Sequence, residues 1–374
     1  MIYNNSYQTL PEFFYSYSSP EVLQNPEMVC LNRSLAEDLG LWGSKYLSLE
    51  FLSGKALPAP LRSISQAYAG HQFGYFNILG DGRAHILGEI KDPQHRIWDI
   101  QLKGSGRTPY SRRGDGKATL GPMLREYIIS EAMNALGVPT TRSLAVIKTG
   151  ELVERESQLP GALLVRIAAS HIRVGTFEYA HYQDHSSAQH RDSKSGDRIA
   201  VKSLADYTIQ RHFPKMVGDY ESFLEEVIDR QASLVAQWMG FGFIHGVMNT
   251  DNMSLSGETI DYGPCAFMDE FDFNTVFSSI DREGRYAFGR QPAMAHWNLT
   301  KFAETLLPLL DESQDVAIQK AQKKIDSFQT KFENYYFMIL RKKLGLSAGK
   351  SEDHTLEDHT LEDHTLEDHT LEDH

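Results

Sequence analysis

The segment His245-Gly-Val-Met-Asn-Thr-Asp-Asn252 sets a carboxylate beside a carboxamide, and an Ile-Asp-Tyr-Gly run follows at 260–263. Asn252 and Asp261 offer hard oxygens of the kind Mg2+ or Mn2+ accepts while keeping water and phosphate oxygens in its shell. Asp251 is a spare carboxylate able to take a proton from a hydroxyl nucleophile. Singly, each of these residues is equally a turn former; together, between a long helical pattern and Asp-Tyr-Gly, they point to metal-assisted phosphate chemistry. Lys103 ends an apolar run, where a solvated strand end is the simpler reading. Glu126, however, shares a helix face with Ile129 and Met133, so it points toward packing and needs a cation. Lys103 can supply it, either as a structural ion pair or as an ammonium fixed to hold nucleotide phosphates. Arg166 closes the apolar run LLVRIAAS, and a guanidinium buried there requires an anion. An Asp or Glu would serve, and so would a polyphosphate; Arg173 follows in the same stretch.

The glycine-rich turns say less. GDGRAH at 80–85 lacks the third glycine of GxGxxG and reads equally well as a structural turn. A phosphate loop of the GxxxxGK[ST] kind fails at 111–118, because Ser111 stands at the first glycine and Ala118 follows Lys117.

These residues need elements to hold them. Residues 1–65 read as an irregular extension with short helices, one of them LNRSLAEDLGLW capped by Asn32 or Ser34. From Tyr68, two apolar runs flank Gly80-Asp81-Gly82 as a hairpin signal, and RIWDIQLKGSG adds a strand. GPMLREYIISEAMNALG reads as a helix, with Pro122 in its first turn and Gly137 ending it. TTRSLAVIKTG and GALLVRIAAS are two more strands. The polar stretch HYQDHSSAQHRDSKSGDRIA, about 180–200, predicts an exposed insertion. YESFLEEVIDRQASLVAQWMGFGF is an amphipathic helix with Phe223, Val227, Leu234 and Trp238 on its apolar face. MSLSGETIDYG predicts a small hairpin that brings Asn252 and Asp261 together. HWNLTKFAETLLPLL and KKIDSFQTKFENYYFMILRKKLG are further helices. Three strands, a helix and two strands match the N-terminal lobe of a protein-kinase-like fold, and HGVMNTDN followed by DYG matches its catalytic loop and metal motif. Val247 stands where a kinase keeps its catalytic Asp. The expected class is α+β with a two-lobe, kinase-like architecture: an extension at 1–65, a strand-rich lobe at 66–178, a helical lobe at 179–345 and a tail at 346–374.

Composition bounds the alternatives. The 374 residues are 41% hydrophobic and 23% charged, ordinary for a globular chain. No apolar run approaches the length of a membrane span, and the N-terminus lacks a secretory pattern. Cys30 and Cys265 make neither a disulfide framework nor a zinc pattern, so a reducing cytoplasm is the expected setting. Of the net charge of −13, a tail of repeated EDHTL from Glu352 carries −10. A five-residue period keeps no apolar face, so the tail is expected to be a disordered acidic segment. The near-neutral body argues against a nucleic-acid partner; its basic residues concentrate between Lys103 and Lys117.

The motifs YAGHQFG, LGDGRA, QLKGSGRTPYSRRGDGKATLGPMLREYIISEAM, SHIRVGTFE, HGVMNTDNMSLSGETIDYGPCAFMDEFD and NTVFSSIDREGRYAFGRQPAMAHWNL resemble the selenoprotein O (YdiU) family of kinase-like proteins, from about residue 10 to about 340. The resemblance implies transfer of AMP from ATP to Ser, Thr or Tyr hydroxyls of protein substrates, with some bacterial members using UTP and Mn2+. It implies a nucleotide bound in reverse, its γ-phosphate inward and its α-phosphate facing the nucleophile. On it, Lys103 holds phosphates and Glu126 positions Lys103; Gly80, Gly82, Arg83, Asp115, Gly116, Arg166, Arg173 and Asp261 bind the nucleotide; Asn252 and Asp261 bind Mg2+ or Mn2+; and Asp251 is the base. Family members usually continue past residue 345 and often end near a redox-active cysteine or selenocysteine, where this sequence has the EDHTL repeat, as in a truncated chain. An ordinary phosphotransferase and a silent nucleotide-binding scaffold are the competing readings.

Overall fold

The computed structural model describes residues 2–3, 5–188 and 199–346. The EDHTL repeat and the central part of the expected insertion lie outside the described residues.

The molecule is α+β, and its main sheet is antiparallel throughout. Its strands are β1 (Ile2–Tyr3), β2 (Tyr15–Tyr17), β3 (Glu27–Leu31) and β4 (Ile64–Gln66), with β5 (Ala69–Gln72) and β6 (Tyr75–Ile78) forming a separate ribbon. The sheet continues with β7 (Ala84–Lys91), β8 (Ile97–Lys103), β9 (Ala118–Thr119), β10 (Arg142–Glu154) and β11 (Gln158–Ala168). Its order is β2-β4-β7-β8-β11-β10-β3, with β1 beside β7 and β9 beside β11. Residues 1–65 therefore supply both edges of this sheet and are woven into it rather than appended. The helix expected near residue 33 forms as α1 (Arg33–Asp38), capped by Asn32, whose side chain accepts from the Leu35 N–H at 3.0 Å. A one-turn α2 (Leu49–Leu52) follows.

Strand alternation sorts the chemistry from the core. In β8, Ile100 and Leu102 join the apolar cluster under α1 and α2, which leaves Asp99, Gln101 and Lys103 on the opposite face. In β11, Leu163, Val165 and Ile167 pack into that same cluster, so Leu164 and Arg166 face the other way, with Arg166 directly opposite Gln101. Helix α3 (Leu120–Ala135) covers that face with Met123, Glu126, Ser130 and Met133 buried, a 3–4 spacing that turns Glu126 inward.

The helical part contains α4 (Val174–Ala188), α5 (Ile199–His212), α6 (Tyr220–Phe241), α7 (Gln291–Leu310) and α8 (Gln314–Lys343). Helix α6 starts at Asp219, which caps the Ser222 N–H, and stops at Gly242 with φ 67°. Its apolar stripe, Phe223, Val227, Leu234 and Trp238, is buried as the periodicity predicts. The expected insertion is helical as far as Ala188, because α4 turns its first residues, Val174, Phe177 and Ala180, into the core.

Two turns differ from expectation. The hairpin bends at Phe73 (φ 52°) and Gly74 (φ 88°), joining β5 to β6, while Gly80-Asp81-Gly82 links that ribbon to the main sheet. The segment 253–261 makes no hairpin of its own. Ser254 bridges to Arg173 and Thr259 bridges in parallel to Thr140, so its backbone partners come from the strand-rich part. Strands β12 (Phe243–Ile244) and β13 (Ala266–Phe267) pair with each other instead.

Candidate active site

A cavity of about 550 Å3 opens where β7, β8 and β11 meet the 247–264 loop, and the sequence-picked residues Gly80, Gly82, Arg83, Lys103, Asp115, Gly116, Arg166, Arg173, Asn252 and Asp261 all line it. Val247 lines it too. Glu126 does not line the cavity but bonds to Lys103, which does, and Asp251 directly precedes the lining residue Asn252.

The centre is a buried charge cluster. Lys103 Nζ donates to Glu126 Oε2 at 2.6 Å and to Asp261 Oδ1 at 3.0 Å. Arg166 Nη2 donates to Glu126 Oε1 and to Asp261 Oδ1, both at 2.6 Å, and its Nη1 reaches Gln101 Oε1 at 3.3 Å. Arg173 Nη2 donates to Asp261 Oδ2 at 3.0 Å, and its guanidinium lies 4.7 Å from the Tyr68 ring centre. Arg166 is 1% exposed, and carboxylates supply the anion its burial demands. Burial alone raises the pKa values of Asp261 and Glu126, but Arg166 and Lys103, with Arg173 at Asp261, outweigh it and hold both carboxyls below their usual range. Three cations thus meet two carboxylates at the cavity floor, with Asp81 as a third carboxyl in the cavity wall. Asp261 reaches this position with φ 63°, a left-handed conformation unusual for a residue other than glycine.

Asp251 has a different environment. It is 8% exposed, its Oδ1 has no hydrogen-bond partner among the described residues, and burial pushes its carboxyl up to about 6, against the pull of Arg173. Glycine is required beside it: a Cβ on Gly70 would sit 2.9 Å from Asp251 Cγ, and one on Gly175, 3.3 Å from the Asp251 Cα, would run into the Ala69 carbonyl oxygen. Asp251 therefore lies between the β5 strand and the start of α4.

Asn252 donates through Nδ2 to the Val247 carbonyl at 2.9 Å, a bond that does not use its side-chain carbonyl oxygen. Asp261 carries two further hard oxygens in the lining, of the kind Mg2+ or Mn2+ accepts beside water and phosphate. Here, however, Oδ1 accepts from Lys103 and Arg166 and Oδ2 from Arg173, so a metal would share Asp261 with those cations. No group of three His, Cys, Asp or Glu capable of caging a metal exists among the described residues. Asp115 is held by Arg155 at 2.7 and 3.2 Å and accepts from the Lys117 N–H at 2.9 Å, which fixes the loop carrying Gly116 (φ 72°).

Sequence reasoning missed Asp81, a buried lining carboxylate that accepts from the Gln66 N–H at 3.0 Å and that burial pushes up to about 6. It missed Gln101 and Tyr68 as well. It also missed a brace behind the loop that carries Asp251: Glu178 of α4 accepts from Thr250 Oγ1 at 2.5 Å and pairs with His71 Nδ1, while the His71 backbone N–H donates to Thr250 Oγ1 at 2.7 Å. The signal available was the YAGHQFG run itself, polar and glycine-rich where a core strand would be apolar.

With this geometry in view, relatedness becomes informative. A family model described as protein adenylyltransferase SelO matches residues 1–371. The chain belongs to the SelO family. A protein nucleotidyltransferase YdiU from Bacillus cereus (strain ATCC 14579) is 55% identical over 359 residues, covering 94% of this chain and 71% of that relative. The YdiU of Bacillus thuringiensis subsp. konkukian (strain 97-27) is 54% identical over the same length. As a SelO-family member, the chain is a nucleotide-transferring enzyme. No helix among the described residues is long and apolar enough to cross a membrane.

Proposed function

We propose that the chain transfers AMP from ATP to Ser, Thr or Tyr hydroxyls of protein substrates, releasing pyrophosphate, within a kinase-like two-lobe arrangement in the cytoplasm. The carrying observation is the pairing of three clustered cations, Lys103, Arg166 and Arg173, with a separate buried carboxylate, Asp251, that has one oxygen without a hydrogen bond and a raised pKa.

The division of labour follows from charge. The floor cations bind the inward phosphates and take up the charge that develops on departing pyrophosphate. Glu126, bonded to both Lys103 and Arg166, keeps those donors pointed into the cavity. Arg83 and the Gly80, Gly82 and Gly116 backbones line the nucleotide's flank, and Asp115 fixes the last of these. The substrate hydroxyl attacks the α-phosphorus and passes its proton to Asp251, whose pKa near neutrality suits a base at physiological pH. Mg2+ or Mn2+ held by Asn252 and Asp261 would neutralise phosphate charge. Val247, in the kinase base position, then reflects a base moved along the loop toward a different phosphorus atom.

ATP labelled at the α or at the γ position, with Mg2+ or Mn2+ and a protein acceptor, tests this. Protein labelled from α, with pyrophosphate released, is expected; label from γ alone identifies a phosphotransferase, and label from neither a silent scaffold. α-Labelled UTP run in parallel decides between AMP and UMP transfer.

A further inference from the structure

A second cavity, of about 430 Å3, shares no lining residue with the first. It opens between α1, the end of α3, the start of β10 and Glu258, and its volume is in the range of small-ligand sites. Leu35, Leu39 and Val138 are buried in its walls, and Trp98 and Pro139 add to the apolar lining. Glu258 and Asp261 stand at the two ends of one four-residue segment, so each cavity takes one end of it. The Thr259 N–H pins that segment to the wall of the second cavity by donating to the Pro139 carbonyl at 2.9 Å.

Four charged residues line this cavity: Asp38, Arg96, Arg142 and Glu258. Arg96 gives its Nε to Asp92 Oδ2 at 2.7 Å, and Arg142 gives Nε and Nη2 to Glu131 at 2.9 and 2.7 Å. Both guanidinium groups are thus matched by carboxylates from outside the lining. Asp38, exposed at the end of α1, and Glu258 form no ion pair among the described residues. Glu258 is 9% exposed. Its Oε2 accepts from the Ala169 N–H and from Ser256 Oγ, while its Oε1 accepts from nothing among the described residues. A carboxylate so buried calls for a cation. Arg211, the cation that acts on it from a distance, is committed to Glu89 and Asp99, and burial pushes the Glu258 carboxyl up to about 7.

We propose that this cavity binds a small organic ammonium with an apolar body. The ammonium donates to Glu258 Oε1 at the buried end, a charge-assisted hydrogen bond. Leu39, Trp98 and Val138 hold the body, and Asp38 adds a second carboxylate at the exposed end. An anion finds both arginines already holding carboxylates, and a neutral molecule leaves Glu258 without its cation.

Isothermal titration calorimetry of the full chain at about pH 8, where Glu258 is ionised, tests this with 2-phenylethylamine. The neutral and anionic counterparts are 2-phenylethanol and 3-phenylpropionate. The amine is expected to saturate one site per chain, to bind roughly tenfold or more tightly than either counterpart, and to stay bound at saturating ATP. E258Q keeps the side chain's shape and an acceptor for the Ala169 N–H but removes the charge, and should weaken amine binding roughly tenfold. N134W should do likewise, because Asn134 is an exposed lining residue in the last turn of α3, where an indole blocks the cavity without entering the core. Cooperative denaturation of each variant separates lost binding from lost folding, and the comparison of the three ligands on the parent chain stands without either variant. No saturable amine binding, equal affinity for the alcohol or the acid, displacement of the amine by ATP, or amine binding unaltered in E258Q overturns the inference.

Discussion

At the scale of single residues the site separates two carboxyls that titrate together but act differently. Asp251 and Asp81 are both pushed up to about 6 by burial, the first beside the ribbon and the second in the cavity wall. In its proposed role as base Asp251 must be ionised to work, so kcat should fall below about pH 6 as it gains its proton. D251N should lower kcat about 100- to 10,000-fold with little change in KM for ATP, as measured by α-label transfer. Protonating Asp81 removes a negative charge from the phosphate site, so KM for ATP should fall over the same pH range. D81N should abolish the pH dependence of KM and leave the limb in kcat. An acid limb in kcat that moves with D81N would reassign the base.

At the scale of elements, β5, the start of α4 and the base loop form one brace. Thr250 donates to Glu178, the His71 N–H donates to Thr250, and the Phe73 N–H reaches Asn249 Oδ1 at 3.2 Å. Tyr286 donates to that same oxygen at 2.5 Å. G70A drives a methyl into the Asp251 carboxylate and should cost on the order of 100-fold in kcat, the penalty of shifting a reacting group by about an ångström. T250V leaves Glu178 without its hydroxyl donor and should lower kcat, whereas T250S, which keeps the hydroxyl, should restore it. Equal losses for T250V and T250S in label transfer would assign the effect to packing. This brace also marks where sequence reading stops. Lys103, Glu126 and Arg166 were legible because a charge on an otherwise apolar strand or helix face must find a partner, whereas Arg173 was reached through the family resemblance. So were the strand–helix–strand order and the α6 stripe, which periodicity encodes. The brace joins residues 71, 178 and 250, and no local period reports a contact across such separations. The misplaced hairpin has a similar cause: Gly80 and Gly82 are stronger turn signals than Phe73-Gly74, and β7 is drawn from β6 by pairing with β4, β1 and β8.

At the scale of the whole molecule, buried polar links fasten the strand-rich part to the helical part and so set the cavity's shape. Arg211 of α5 joins Glu89 of β7 to Asp99 of β8, while His171 Nδ1 lies 3.0 Å from the other Asp99 oxygen. R211M would leave two carboxylates buried without their cation, and chemical denaturation should show a loss of about 3–5 kcal/mol. Glu258 is a second link: its Oε2 accepts from the Ala169 N–H at 3.0 Å, at the end of β11, and from Ser256 Oγ at 2.9 Å. Burial pushes its carboxyl from 4.5 up to about 7, so the folded state holds a proton that the unfolded chain has released between those values. Stability contributed by this group is therefore fully present below about pH 4.5 and is lost as pH rises toward 7. Other groups oppose that slope: burial lowers His85 and His171 to about 4, so the unfolded chain binds their protons first and stability rises with pH there. The difference between E258Q and the parent isolates Glu258, because those histidines are common to both. E258Q should gain on the parent by up to roughly 3 kcal/mol as denaturation is moved from about pH 5 to about pH 8. A difference that stays flat across that range would mean that Glu258 is ionised in the folded state and that this link between the two parts is an ordinary charged hydrogen bond.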